Sequence, residues 1–230
     1  MWCIQEMMAG AVTGSSTEEK ARILPPLLQA DDVALIVEFG TAATSGEASR
    51  NGSVVCGTNV FLHDANVGNS ESHWPIPRPD VVLTSKLSGR DFAAFASDEA
   101  AANVAKLALM VPNTPAAPGF LADHEFVALA DINVTDYHNY AVADKAVVDA
   151  YVASGSPQPN GSLETTHGVI RECASDAKPF MFVSGITDRI GHFDEDVGKA
   201  VCQQNFVAAH NAGIAVAPMI PAILKFLSPA

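Results

Sequence analysis

The sequence predicts an α/β fold: a single domain over residues 1–230 with a central mixed, mostly parallel sheet flanked by helices. Two observations carry that prediction. Short apolar runs with the length and flanks of buried strands alternate along the chain with helical patterns, the order that builds such a sheet. The chain of 230 residues, 48% of them apolar, is long enough to bury a substantial core and is no disordered tail. No internal repeat and no domain linker breaks the alternation.

The elements follow in order. Thr13-Gly14-Ser15-Ser16 reads as a loop into a helix over 17–29, with Ser16 or Thr17 as N-cap and Glu18 and Glu19 in the first turn. Asp31-Asp32 ends that helix, and Val33-Ala34-Leu35-Ile36-Val37 reads as a buried strand. Gly40-Thr41-Ala42-Ala43 is expected to form a tight turn at the strand's carboxyl end. A second strand covers 53–61, and residues 69–80, rich in Ser, Pro and His, form a loop. A helix is expected over 97–110, then a loop with three prolines over 111–119 and a strand over 126–134. Residues 144–154 give a helix and 155–161 a turn.

The stretch from Ser162 to Asp196 is the most informative. Glu164 opens an expected helix over 164–173, Pro179 starts the strand Phe180-Met181-Phe182-Val183, and Asp188 follows at that strand's carboxyl end. Open α/β sheets place their ligands there. Two carboxylates so arranged suit cleavage of a ribosyl bond, one gripping hydroxyls and the other donating a proton. Taken alone, Glu164 equally fits a first-turn acid that favours the helix dipole, and Asp188 an N-cap or turn residue. Asp194-Glu195-Asp196 reads as a solvated helix start rather than a calcium loop. Residues 207–227 are strongly apolar but interrupted by His210, Asn211, Pro218, Pro221 and Lys225, which favours a buried helix pair over a membrane span.

Composition excludes several functions. With 13 basic against 26 acidic residues the formal charge is −13, which argues against nucleic acid as a partner. Cys3, Cys56, Cys173 and Cys202 show no C-x-x-C and suit reduced thiols in a cytoplasmic protein. Residues 1–6 lack the basic and apolar regions of a signal peptide, so the Asn51, Asn133 and Asn160 sequons carry little meaning. Seven histidines without metal-ligand spacing make a metal site unexpected, and the absence of a phosphate-binding glycine motif leaves cofactors unsupported.

Leu163-Glu164-Thr165 and Ile186-Thr187-Asp188, 24 residues apart at the two acids, resemble elements of the nucleoside phosphorylase and nucleosidase family. Phe193-Asp194-Glu195 is similar to a segment of its methylthioadenosine nucleosidases. Thr13-Gly14-Ser15-Ser16, Gly40-Thr41-Ala42-Ala43 and Leu62-His63-Asp64-Ala65-Asn66 follow the family's order and spacing, so the resemblance covers about residues 13 to 225. It implies an N-glycosidic bond of a purine ribonucleoside as the target. It implies that Asp188 protonates N7 of the leaving purine and that Glu164 binds the ribose hydroxyls, with Leu163 and Thr187 beside them. Gly40, Thr41 and Ala42 are placed at the ribose or nucleophile. Tyr137 and His138 are placed to stack on the base, and Phe193 to close over it. Exposed loop aromatics and core packing are the plain alternatives for these three. A homo-oligomer with no membrane partner is also implied.

Two departures bear on the nucleophile. The family opens with a strand and Gly-rich loop, carrying a water-activating Glu in nucleosidases, and residues 1–12 hold no counterpart. Either the sequence begins after that unit, or the nucleophile site is assembled differently, or catalysis is weak. Glu38 stands where hexameric phosphorylases place a phosphate-holding Arg. Unless Glu38 simply points outward, it repels an anion. The expectation therefore leans to hydrolysis, with phosphate a co-substrate only in the phosphorylase alternative. A non-catalytic binding or storage relative is the third reading.

Overall fold

The computed structural model describes residues 23–44, 51–63, 81–83, 85–87, 89–96, 98–107, 109, 120–121, 125–129, 162–164, 170–171, 173–174, 178–189, 192–197 and 201–228. Among them eight strands form one sheet: β1 (Ile36–Thr44), β2 (Val54–Gly57), β3 (Asn59–His63), β4 (Val81–Leu83), β5 (Phe120–Leu121), β6 (Glu125–Leu129), β7 (Ser162–Glu164) and β8 (Phe180–Arg189). Their order is β4-β3-β6-β7-β1-β8-β2-β5. The pairs β1–β8, β2–β5, β3–β6 and β6–β7 are parallel, while β1–β7, β2–β8 and β3–β4 are antiparallel. The sheet is mixed with parallel pairs in the majority. Helices α1 (Pro25–Leu28), α2 (Gly89–Phe95), α3 (Asp98–Leu107), α4 (Phe193–Asp196) and α5 (Val201–Leu227) complete the described elements.

One residue, Thr58, separates β2 from β3, yet these strands stand second from opposite ends of the strand order. Two Cα steps span at most about 7.6 Å. The ends of the sheet must therefore approach each other, and the sheet curls toward a barrel. The expected single strand over 53–61 is thus two strands serving opposite ends of one sheet.

Strand β8 lies between β1 and β2 and is buried at every residue from Phe180 to Asp188. A strand covered on both faces needs no polar alternation, which is why Phe180-Met181-Phe182-Val183 is continuously apolar. The strand extends to Arg189, beyond the expected end at Val183, because its ladder with β1 continues to Thr44↔Arg189. That ladder also corrects the expected turn: Gly40-Thr41-Ala42-Ala43 lies inside β1, paired with β8. Small residues there signal a crowded central strand rather than a bend. Glu164 does not open a helix. It ends β7, in parallel register with Ala128 of β6. The expected helix over 97–110 is met by α3, α2 is a helix the sequence reading did not place, and the helix expected over 144–154 lies outside the described residues.

Helix α5 is one continuous helix of 27 residues, not the expected pair, and it carries Pro218 and Pro221 inside it. An interior proline costs about 3 kcal/mol. Burial outweighs that cost: Gln204, Val207, Ala208, Asn211, Ala212, Ala215 and Met219 recur at spacings of three and four and form one buried stripe. Ala212, Ala215 and Met219 pack with Met181 and Val183 of β8 and with Phe92, Phe95 and Val104 of α2 and α3. Length and composition alone would let Gln203–Leu227 cross a membrane, and 33% of its most apolar window is buried here.

Candidate active site

The candidate site forms where β8 loses its regular register. Ala42 pairs with Ile186, but Ala43 pairs with Asp188, so Thr187 is an extra, bulged residue. A slip of one residue exchanges the faces of a strand. It moves Asp188 from the face of Ile186 to the face of Met181, Val183 and Gly185, which α5 covers. Two contacts hold the bulge. The Thr187 Oγ1 lies 3.1 Å from the Ala42 carbonyl oxygen. From α5, the fully buried Gln204 donates from Nε2 to the Thr187 carbonyl at 2.5 Å.

Asp188 is 3% exposed and its Oδ1 is hydrogen-bonded to the Thr187 hydroxyl. Its Oδ2 is buried and has no hydrogen-bond partner among the described residues. Burial raises the carboxyl pKa from 3.8 to about 7; the Thr187 hydrogen bond opposes the rise and the Asp196 charge adds to it. Near neutrality the group is therefore present both protonated and ionised. Thr187 suits both states. Its hydroxyl donates to an ionised Asp188, or it donates to Ala42 while accepting the Asp188 proton.

The next residue turns outward into an ion pair. Arg189 donates from Nε and from one terminal nitrogen to Asp196, at 3.0 and 2.7 Å, and its backbone N–H donates to the same carboxylate at 2.8 Å. Asn51 adds a fourth bond from Nδ2 at 2.9 Å. Burial pushes the Asp196 carboxyl up, but the bonds from Arg189 and Asn51 outweigh it and hold the pKa below its ordinary value. The expected solvated acidic run is thus split. Glu195 is exposed, bonding Arg189 at 2.9 Å and His192 at 3.1 Å, whereas Asp196 is built into the strand end.

Leu163, Ala43 and Asp188 lie side by side in register on the adjacent strands β7, β1 and β8. Glu164, the next residue of β7, therefore stands two strand spacings from Asp188, about 10 Å between backbones. Thr187 and Ala42 join this group directly through their hydrogen bond. Gly40 and Thr41 pair with Ser184 and Gly185, about 10–13 Å upstream along β8 at its rise per residue. Phe193 starts α4 four residues after β8 ends. Tyr137 and His138 lie outside the described residues. Gln204 and the Arg189–Asp196–Asn51 cluster were not singled out from sequence. The one signal for Gln204 was an amide pair, Gln203-Gln204, inside an apolar helix.

No family model and no curated protein matches this sequence. Solved structures do. A 5′-methylthioadenosine/S-adenosylhomocysteine nucleosidase from Colwellia psychrerythraea 34H, in complex with adenine, matches at a TM-score of 0.58 and 15% identity over 90% of this chain and 74% of its own. The corresponding nucleosidase from Neisseria meningitidis, in complex with methylthio-immucillin-A, matches at 0.54 and 18% identity over 89% and 77%. Futalosine hydrolase from Helicobacter pylori matches at 0.52 and 9% identity over 91% and 76%. The chain carries the fold of the nucleoside phosphorylases and nucleosidases.

Proposed function

We propose that this protein cleaves the N-glycosidic bond of a purine ribonucleoside of the adenosine type, with water as the nucleophile. The observation that carries this reading is Asp188: a buried carboxyl, titrating near 7, with one oxygen unpartnered at the end of a central strand. A purine leaves as an anion unless a proton meets it. A carboxyl poised near the working pH supplies that proton most effectively. The fold neighbours agree at the level of nucleoside cleavage, since their names cover nucleosidases, a hydrolase and uridine phosphorylases.

In this reading the C1′–N9 bond breaks and its electron pair passes to the base as the Asp188 proton moves to N7. Glu164 holds the ribose hydroxyls while positive charge develops on the sugar. The water oxygen then bonds to C1′ and loses a proton to solvent, and Asp188 takes up a proton for the next turnover. Glu38 pairs with Phe182, roughly 15–20 Å along the strand from Asp188 and too far to act on the nucleophile, so the lean to water over phosphate follows the nucleosidase neighbours instead. Buried thiols at Cys56 and Cys173 suit a reducing, cytoplasmic setting.

Incubation with adenosine, inosine and methylthioadenosine, with and without phosphate, tests the proposal. Free base and free sugar should form at a rate independent of phosphate. Ribose 1-phosphate would overturn the hydrolytic version. Calorimetric purine binding without turnover would make the protein a non-catalytic binder.

A further inference from the structure

We infer that Gln204 of α5 is the positioning residue for Asp188: its amide holds the bulged carbonyl of Thr187 and thereby decides which face of β8 the carboxyl occupies. This rests on the reading of Asp188 as the proton donor, and four observations carry it. The register between β1 and β8 slips only between Ala42 and Ala43, at Thr187. The Thr187 carbonyl, released from regular pairing by the slip, accepts from Gln204 Nε2 at 2.5 Å. Gln204 is completely buried in the apolar stripe of α5, and its Oε1 has no partner. An amide buried with one end unsatisfied is costly, so the bond at its other end is the one the position retains. Finally, one turn further along α5, the carbonyl of Ala208 packs directly against Gly185, which clamps the helix to β8 just before the bulge.

Gln204 does not act through charge. The described side chains of the buried face of α5 are Gln204, Val207, Ala208, Asn211, Ala212, Ala215 and Met219, none titratable, while His210 and Lys225 are exposed. Beyond α5, the charge that acts on Asp188 is the Asp196 carboxylate of α4, itself bound by Arg189. On β1, Glu38 pairs with Phe182, six residues upstream and about 20 Å away along the strand. The work of Gln204 is geometric. Without its anchor the bulge can relax toward regular pairing, which returns Asp188 to the opposite face and to a different environment.

The test follows the Asp188 carboxyl carbon by NMR across pH, assigned against Asp188→Asn, and needs no turnover. Gln204→Met keeps the shape and removes the donor. Its Asp188 midpoint should move away from the wild-type value near 7 as the carboxyl changes surroundings. With substrate, kcat should fall by about 10- to 100-fold, the cost of a misplaced group, with KM little changed. Gln204→Glu can donate the same hydrogen bond only while its introduced carboxyl is protonated, so its Asp188 carboxyl resonance should coincide with wild type at low pH and depart from it as the introduced group ionises. That variant carries the test if Gln204→Met fails to fold. An unchanged Asp188 midpoint in Gln204→Met, with only a lowered Tm, would overturn the inference. Should wild type cleave no nucleoside, the proposed activity fails while this titration still decides the role of Gln204.

Discussion

A β-carbon placed on Gly185 would lie 1.9 Å from the carbonyl oxygen of Ala208, so helix α5 meets strand β8 with no room for a side chain. The contact is to backbone, which cannot rotate away as a flexible side chain can. Gly185 is a requirement of packing, set two residues before the bulge that aims Asp188.

Gly185→Ala should therefore push α5 off the sheet. Overpacking a core costs about 1–3 kcal/mol, occasionally more, and a backbone clash this close belongs at the upper end. Urea unfolding gives the stability loss. The Asp188 titration should shift with it, because Gln204 rides on the same helix. A variant as stable as wild type would show that the two elements are not locked together.

Replacing the two carboxylates separates their roles. Asp188→Asn keeps the shape but removes the proton, and kcat should fall by about 10²–10⁴-fold with purine affinity little changed. Glu164→Gln weakens a charge-assisted grip worth about 1.5–3 kcal/mol, and both ribose binding and kcat should suffer. A nitrophenyl riboside, whose leaving group departs easily, should rescue Asp188→Asn and leave Glu164→Gln impaired. Equal rescue of both would remove the assigned roles.

The raised pKa of Asp188 also sets a pH dependence of stability. The folded-state value, about 7, lies above the ordinary 3.8, so the folded protein holds this proton more tightly than the unfolded chain. Stability from this group is fully present below about pH 4 and is lost as pH rises toward 7. The loss amounts to roughly 4 kcal/mol at 1.36 kcal/mol for each pKa unit. Asp188→Asn should therefore be more stable than wild type at pH 8, with the gap closing toward pH 4. In activity, wild type should decline above about pH 7, as the proton donor ionises. Parallel stability curves for the two proteins would show that Asp188 is not held in its protonated state by burial.

The pair behind the site behaves oppositely. Asp196 is held ionised by Arg189 and Asn51 with its pKa below the ordinary carboxylate value, so the stability it adds is lost only as pH falls through that lowered value. Arg189→Met removes the partner and strands the carboxylate. Breaking a buried pair costs about 3–5 kcal/mol, and the low end applies here because the Arg189 side chain is 25% exposed. Guanidinium chloride unfolding of Arg189→Met, compared with Arg189→Lys, measures it. A loss no greater than that of an ordinary surface pair would place Asp196 in solvent.

Sequence by itself determined the class of the fold and the centre of its sheet. Apolar runs between helical patterns specify a mixed α/β sheet, and the uninterrupted Phe180-Met181-Phe182-Val183 marks a strand covered on both faces. It also set an acid, Asp188, near the carboxyl end of that strand. Only the tertiary structure decided where strands end and which way the acid faces. Gly40-Thr41-Ala42-Ala43 has the composition of a turn, yet pairing with β8 keeps it extended, since ladder hydrogen bonds from a neighbour outweigh a weak local preference. Pro218 and Pro221 should break a helix, yet the buried stripe of α5 carries it through both. The face of Asp188 depends on one extra residue, Thr187, tied to Ala42 on β1 and to Gln204 on α5. Those partners lie 145 and 17 residues away in sequence, and a register slip is a property of two strands together. Local pattern cannot encode it, because strand alternation read along β8 alone puts Asp188 on the other side of the sheet.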